Sequence, residues 1–408
     1  MSPVAAAPMT PPFVVIAYAL PFARPLVTAR GSTRIRRGYL LGLADEAGRV
    51  GWGEAAPLPG HGGETLAEAG RALEAMAAAL HADLAAGRLE IAVDAARHGE
   101  RMALLTREWP AAPCALAAVD SALADLAAQR AGLPLARWLA ADARPAVWVN
   151  AVIGAVSPRR AARLAAAASA DGYRAVKVKL GGDDIADLQR VAAVRAALRH
   201  ETELRADANG AWDPLRAEVM LDALAAHRVA YVEQPVPAGD VAALARLRRE
   251  AGTPVAADEA LLVPGGAARV LESEAADVLV LKPSLLGGLC AARRLAEQAL
   301  ARGMGVVVSS SLETAVGRTA ALHLAAALAG PERPSGLATG HLFARDVAVA
   351  AAPDRGRMRL PSGAGLGVRV TADGITDAGA GFDARASTQD QDTPGATGHD
   401  ASNPVWTN

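Results

Sequence analysis

The second half of this chain repeats a short pattern, and that repeat limits the folds open to it. Short β-branched runs recur at VWVNAVI (147–153), AVKVK (175–179), ELRAD (203–207), VAYVE (229–233), PVAAD (254–258), DVLVLK (277–282) and GVVVSS (305–310), with a weaker eighth, GLATG, at 336–340. Seven stretches rich in Ala, Leu and Arg at helical spacing separate them, opened by caps such as Ser157-Pro158 and Asp213-Pro214. Strands that alternate strictly with helices are expected to run parallel, joined by right-handed crossovers. Eight strands with seven helices between them fit a closed β/α barrel better than an open doubly wound sheet, and no GxGxxG follows the first strand.

Ahead of the repeat, residues 13–55 read as strands, with GYLLGLAD and GRVGWGEAAP flanking a hairpin turn at Glu46–Gly48. Ala-rich amphipathic stretches at 64–84, 91–104 and 114–130 read as helices. Strands followed by helices suggest a small α+β domain that ends near Pro145.

The charged residues lie where the strands of the repeat end. Lys179, Asp207, Glu233, Asp258 and Lys282 are spaced by 28, 26, 25 and 24 residues, each interval being one strand plus one helix. They therefore fall at the C-terminal ends of five successive strands, where barrels of this kind build their active sites. Asp207, Glu233 and Asp258 converge on one point, and like charges packed together call for a divalent cation. No histidine lies in ELRADAN, YVEQP or AADEA, so the all-oxygen donor set favours a hard ion, Mg²⁺, with Mn²⁺ as a substitute. Any one of these carboxylates alone would read equally well as a strand-end cap or a barrel ion pair.

The lysines narrow the chemistry. Of the 42 basic residues only Lys177, Lys179 and Lys282 are lysine, and the other 39 are arginine. Arg supplies charge but keeps its proton, whereas Lys can release one beside other positive charge. Lys177 and Lys179 are two apart on a strand and share a face, so both point into the barrel if one does. Lys282 approaches from the opposite side of the mouth, with Leu279 and Leu281 turned outward onto helices. Positive charge from Lys177, Arg205 and a bound cation is expected to favour proton release at Lys179. A hard cation that holds a carboxylate, with amine groups beside it, suits abstraction of the proton next to that carboxylate.

Composition excludes other classes. Acids and bases are interspersed at a net charge of −1, which leaves no electrostatic footprint for nucleic acid. Cys114 and Cys290 have no CxxC spacing, so neither a disulfide framework nor a zinc cluster is expected. No apolar run approaches a membrane span and MSPVAAAPMTPP lacks the features of a secretory signal, so a cytoplasmic location is expected.

The motifs AVKVK, RADANGAW, VEQP, ADEAL and VLKPSLLGG together resemble the muconate-lactonizing subgroup of the enolase superfamily, over about 13–370. The resemblance implies an α/β protein: a modified TIM barrel, (β/α)7β, with an N-terminal α+β capping domain. On that plan the capping domain spans 13–145, the barrel 146–345, and a C-terminal segment, 346–370, returns to the capping domain. Residues 1–12 and the polar tail 371–408 read as disordered. The resemblance also makes Asp207, Glu233 and Asp258 the metal ligands and Lys179 and Lys282 opposed lysines.

Three further stretches resemble those members that eliminate water from a succinyl-bearing hydroxycyclohexadiene carboxylate on the way to menaquinone. These are GWGEAAPLPGHGGET (51–65), VVVSSSLETAVG (306–317) and the placing of Arg205 two residues before Asp207. By this resemblance Lys179 moves the proton, Lys282 stays protonated, and Lys177, Arg205, Asn209, Ser309, Ser310 and Gly336 bind or tune the substrate, a small carboxylate. Epimerisation of dipeptides or racemisation of N-succinylamino acids remains open, because it needs both lysines and both are present. A sugar-acid dehydratase is disfavoured, since the sixth and seventh strands end in Lys282 and Ser309–Ser311. A barrel without catalysis is disfavoured by the intact charged set. Glu54, His61 and Glu64 are candidates for the substrate entrance, though polar loop residues are commonly just solvated. Ser311 extends the polar run after the seventh strand, where alternation turns only some serines to the pocket. Trp52, Trp109, Trp138, Trp148 and Trp406 are expected to pack, Trp212 lies near Asp207, and His323 reads as a tolerated helix residue.

Overall fold

An antiparallel meander opens the structure: β1 (Phe13–Thr28), β2 (Gly31–Ala44) and β3 (Val50–Ala55), in that order across the sheet. The structure, a computed structural model, describes residues 13–28, 31–58, 60–61, 63–86, 91 and 94–371. The β2–β3 turn is built by Asp45, whose Oδ1 accepts from the amides of Ala47 and Arg49, both at 3.0 Å. The expectations for 1–12, most of the 371–408 tail and Trp406 lie outside the described residues.

Four helices follow: α1 (Leu66–Ala85), α2 (Ala95–Glu108), α3 (Pro113–Arg130) and α4 (Leu135–Leu139). The α3 helix is buried from Cys114 to Ala128, which explains why it carries no polar face. The GWG of β3 lets it sit so close. A Cβ on Gly53 would stand 1.8 Å from the Ala118 carbonyl oxygen, and one on Gly51 would stand 2.1 Å from that of Ala122.

The barrel follows. Residues 147–153, read above as one strand, are two short ones: β4 (Ala146–Trp148) and β5 (Ala151–Ile153). The remaining elements are α5 (Pro158–Ala170), β6 (Ala175–Lys179), α6 (Asp184–Ala197), β7 (Glu203–Asp207), α7 (Pro214–Ala225), β8 (Val229–Glu233), α8 (Val241–Glu250), β9 (Val255–Ala257), α9 (Gly266–Glu272), β10 (Val278–Leu281), α10 (Leu289–Ala301), β11 (Gly305–Val308), α11 (Ala315–Ala327) and β12 (Arg357–Arg359). Strands β5 to β11 form one sheet of parallel neighbours in sequence order, with seven helices α5–α11 alternating along it. The N-terminal strand β4 pairs instead with β12, antiparallel, so the chain turns into the barrel only at Ala151.

The expected eighth strand at 336–340 is not one. Two residues close the barrel: Ser335 bridges Val149, and Gly336 bridges Ser309, both parallel. Four backbone hydrogen bonds of 2.7–3.0 Å flank that closure, from Ser335 to Trp148, Asn150 to Ser335, Gly336 to Val308 and Ser310 to Gly336. Beyond it the chain returns to the helices of the first part, where Leu135 donates to the Gly365 carbonyl at 2.7 Å and Leu366 donates to Asp125 at 2.8 Å.

Side-chain alternation divides the core. Leu279 and Leu281 join the large core between strands and helices, whereas Val278 and Val280 meet Tyr231, Ala256 and Val307 in a small cluster inside the barrel. That interior cluster is small because Lys177, Arg205, Asp207 and Glu233 are also buried.

Candidate active site

Strand register brings the expected residues together. Lys179 pairs with Asp207 between β6 and β7, and Asp207 pairs with Glu233 between β7 and β8. Asp258 follows β9 by one residue and Lys282 follows β10 by one residue. The alternation that puts Val278 and Val280 inside carries Lys282 inside too.

The contacts are short and shared. Lys177 Nζ lies 2.9 and 3.0 Å from the two oxygens of Glu233 and 2.9 Å from Asp207 Oδ2. Lys179 Nζ meets the same Asp207 oxygen at 2.8 Å and Asn209 Oδ1 at 2.9 Å. Lys282 Nζ is 2.6 Å from Asp258 Oδ2. Burial works against the charge on Lys177, but Asp207 and Glu233 outweigh it and hold its pKa well above the ordinary lysine value. Burial likewise opposes the charge on Lys282, and Asp258 and Glu259 more than offset it, raising its pKa. Burial would lift Asp207, yet Lys177 and Lys179 together pull its carboxyl far below the usual range. Glu233 goes the other way, to about 8, because burial and the charge of Asp207 outweigh Lys177. Burial also raises Asp258 against the pull of Lys282. Two carboxylates bonded to one lysine thus move in opposite directions, as expected when neighbouring acids compete for limited positive charge.

Two buried oxygens in this cluster, Asp258 Oδ1 and Glu259 Oε2, have no hydrogen-bond partner among the described residues. Asp207, Glu233 and Asp258 are almost completely buried, and every donor they offer is oxygen. Three carboxylates at neighbouring strand ends, one with an unmet oxygen and none with a histidine beside it, offer the donor type that suits a hard divalent cation, although lysines now stand between them and their oxygens are not gathered within ligand reach of one point. Those three side chains could hold it.

Several residues sit where the sequence did not place them. Arg205 pairs in register with Lys177, one layer below Lys179. It is fully buried, its Nε 2.8 Å from Glu203 and its Nη1 2.6 Å from the Pro334 carbonyl, with its guanidinium 5.1 Å over the Tyr231 ring. Glu203 opens β7, so this guanidinium lies at the floor of the barrel, because the side chain runs back along its strand. Glu54 is 3% exposed and bonded to Tyr18, Thr314 and Gly317, which removes it from any entrance. Glu64 caps the start of α3 by accepting from Cys114 at 2.7 Å and Ala115 at 3.1 Å. His61 alone of the three approaches the charged cluster, 4.0 Å from Glu259. Trp212 is wholly buried packing.

The serines are committed to a residue the sequence reading missed. Glu313 Oε1 accepts from Ser284 and Ser311, and its Oε2 accepts from Ser310 at 2.6 Å. Ser310 Oγ also accepts from the Leu312 amide at 3.0 Å and from Thr339 Oγ1 at 3.1 Å, so its proton and lone pairs are all engaged. Ser309 is freer, with one long contact of 3.5 Å to the Gly336 carbonyl. A Cβ on Gly336 would stand 2.6 Å from Ser309 Oγ, so a larger residue there would have to turn that hydroxyl aside. Gln234 was also overlooked: its Oε1 accepts from the amides of Asp258 (3.1 Å) and Ala260 (2.9 Å), which aims the end of β9. Asn209, at φ +46°, spans Lys179 and Glu259, donating to the latter at 3.0 Å. The motifs SSSLET, VEQP and DEA contain Glu313, Gln234 and Glu259, but nothing in a linear pattern says which hydroxyl faces which carboxylate.

His323 does more than occupy a helix. Its Nδ1 accepts from the Ala136 amide at 3.0 Å and its Nε2 lies 3.1 Å from the Leu366 carbonyl, tying α11 to α4 and the returning C-terminal segment. No described helix is long and apolar enough to cross a membrane.

Comparison with known proteins meets this geometry. Residues 13–139 match the family described as mandelate racemase / muconate lactonizing enzyme, N-terminal domain, and residues 159–374 match enolase C-terminal domain-like. An o-succinylbenzoate synthase of Thermobifida fusca is 44% identical over 209 residues, 51% of this chain and 64% of that protein. The match therefore spans less than two thirds of that relative. An L-Ala-D/L-Glu epimerase of Bacillus subtilis is 32% identical over 314 residues, 76% of this chain and 82% of that protein. Among solved structures, a dipeptide epimerase of Enterococcus faecalis complexed with Mg and L-Leu-L-Tyr superposes with a TM-score of 0.78 at 27% identity, covering 87% of this chain and 98% of the other.

Proposed function

The chain belongs to the mandelate racemase / muconate lactonizing enzyme group of the enolase superfamily, and on that premise we propose that it is an o-succinylbenzoate synthase. It would catalyse the syn dehydration of a succinyl-bearing hydroxycyclohexadiene carboxylate in menaquinone biosynthesis. The observation that carries this reading over epimerisation is the inequality of the two lysines. The Lys179 side chain is 28% exposed at the mouth, while that of Lys282 is 10% exposed and held against Asp258. One lysine open to the mouth and one buried against a carboxylate suit a reaction with a single proton carrier.

Asp207, Glu233 and Asp258 are the proposed holders of Mg²⁺, which when bound neutralises the substrate carboxylate. Lys179 removes the proton next to that carboxylate and gives it to the hydroxyl as the carbon–oxygen bond breaks, so water departs from the same face. Asn209 holds the Lys179 amine at 2.9 Å. Lys282 stays protonated over the other face and stabilises the negative charge that develops there. Ser309, the least engaged of the three serines, is the proposed contact for the succinyl carboxylate, and Ser310, its hydroxyl held by Glu313, is the neighbour that fixes the loop.

A second reading, racemisation of N-succinylamino acids, is favoured by the placing of one lysine on each side of the mouth. Epimerisation of dipeptides needs the same pair of lysines. The test pairs two assays on one preparation: dehydration of the cyclohexadiene substrate, and exchange of the alpha-proton of an N-succinylamino acid in deuterated solvent. Dehydration without inversion is expected. Inversion with fast exchange and no dehydration would overturn the proposal.

A further inference from the structure

We propose that Asp120 and Glu54 are positioning residues that set the two loops carrying Lys282 and Ser309, each by capping a barrel helix from the other domain. The roles of Lys282 and Ser309 rest on the function proposed above. The geometry of the two caps does not.

Helix α10 has no side-chain cap of its own, because Gly288 stands at its N-cap. Asp120, on α3, supplies one: its Oδ2 accepts from the Cys290 amide at 2.8 Å, while Oδ1 lies 2.5 Å from His98 Nε2. Gly288 makes room, since a Cβ there would stand 2.3 Å from Asp120 Oδ2. The stretch from Lys282 to Gly288 is one tight turn. The Lys282 carbonyl accepts from Leu285 (3.0 Å) and Leu286 (3.1 Å), and the Pro283 carbonyl accepts from Gly288 (2.9 Å). Fixing Cys290 therefore fixes the root of Lys282. His98, Asp120 and Cys290 together resemble a metal donor set, but Asp120 Oδ2 already holds a helix N–H, and the positive end of α10 disfavours a cation.

Helix α11 differs in having a cap of its own, Thr314 Oγ1, which accepts from the Val316 amide at 3.2 Å, and Asp346 accepts from the Ala315 amide at 2.8 Å, but the first domain adds a carboxylate to it. Glu54, on β3, accepts from the amides of Thr314 (2.9 Å) and Gly317 (2.9 Å) and from Thr314 Oγ1 (2.6 Å). Tyr18 donates to its other side at 2.6 Å. A glycine again leaves the space, for a Cβ on Gly317 would stand 2.9 Å from Glu54 Oε2. The segment before this helix is Ser309–Glu313, where Leu312 adopts φ +66° and its carbonyl accepts from Arg36 of β2 at 2.9 Å. Docking of the first domain thus holds two loops at the barrel mouth by separate carboxylates. Ser284 and Glu313 join those loops to each other, so each clamp is defined by the loop it affects more.

The isosteric variants Asp120→Asn and Glu54→Gln separate the two clamps. Amide hydrogen exchange on the full chain is expected to rise about tenfold more over 283–290 than over 310–317 in Asp120→Asn, and the reverse in Glu54→Gln. In turnover of the cyclohexadiene substrate, Asp120→Asn is expected to lower kcat about tenfold or more with KM within about twofold. Glu54→Gln is expected to raise KM by about tenfold with kcat within about twofold. A domain interface that merely holds the fold together would loosen both segments alike and move kcat and KM together, and that result overturns the inference. If the segments loosen separately while the wild type neither dehydrates nor exchanges, the proposed reaction fails and the clamps stand.

Discussion

At the barrel mouth, Asp207, Glu233 and Asp258 share three lysines, and Asp258 Oδ1 and the neighbouring Glu259 Oε2 are left unmet among the described residues. Along the seam with the first domain, buried carboxylates are treated differently. Glu313 takes five hydrogen bonds from Ser284, Ser310 and Ser311. Burial would raise its carboxyl, yet those donors hold it below the ordinary glutamate value. Glu54 is bonded by Tyr18, Thr314 and Gly317, although burial still pushes its carboxyl up. Neither region is a place to read stability from charge counts. The mouth keeps its charges in partnerships that a bound cation and a substrate would exchange, whereas at the seam Glu54 and Glu313 are held by hydroxyl and amide donors that fix the chain. Buried polar groups that are fully satisfied rigidify a structure, and those left partly unsatisfied call for a partner that the fold itself does not supply.

The largest expected effect tests the mouth. Lys179→Arg keeps the charge but cannot release a proton, so turnover should fall by about 10³-fold or more while the circular dichroism spectrum is unchanged. Retained activity would break the contrast at its centre, since charge alone would then suffice.

The next is a pH effect at the seam. Burial pushes His323 down to about 4. An unfolded histidine titrates near 6.5, so between those values the unfolded chain takes up a proton that the folded chain refuses. Stability should therefore be full above about pH 6.5 and fall as the pH drops toward 4, by roughly 3 kcal/mol from this residue. Urea unfolding of wild type and His323→Asn at several pH values isolates that contribution. An equal difference at every pH would mean that His323 is not held neutral.

Slightly smaller is the response to the cation. Saturating Mg²⁺ should raise the unfolding free energy by about 3 kcal/mol at a hundred times its dissociation constant. Asp258→Asn should abolish most of that gain, read as the shift of the melting temperature with and without Mg²⁺. The smallest effect sharpens the comparison within the serine run. Ser309→Ala should raise KM about tenfold, whereas Ser310→Ala should leave it within about twofold, because the Ser310 proton already belongs to Glu313.

Much of the plan was legible in one dimension. The strand–helix period and the strand-end charges predicted a barrel and a charged mouth, and the three lysines stood out against 39 arginines. Register then put Lys179, Asp207 and Glu233 side by side. The failures have physical causes. Arg205 was assigned to the mouth because it is two residues from Asp207, but a long side chain can run toward either end of its strand, and its partners, Glu203 and the Pro334 carbonyl, lie below. The glycines of GWG carry no linear signal of their role, which is to let α3 press on β3. An eighth strand was expected where two bridging residues close the barrel.

By itself, then, the sequence determined which elements form, in what order, and which charges share a strand end, since periodicity and alternation are properties of neighbouring residues. Only the tertiary structure decided where each proton is committed. Ser310 loses its donor to Glu313, α10 takes its cap from Asp120, and Glu54 reaches Thr314 across 260 residues of chain. A hydrogen bond depends on distances of tenths of an ångström between groups remote in sequence, and that information exists only once the two domains have docked.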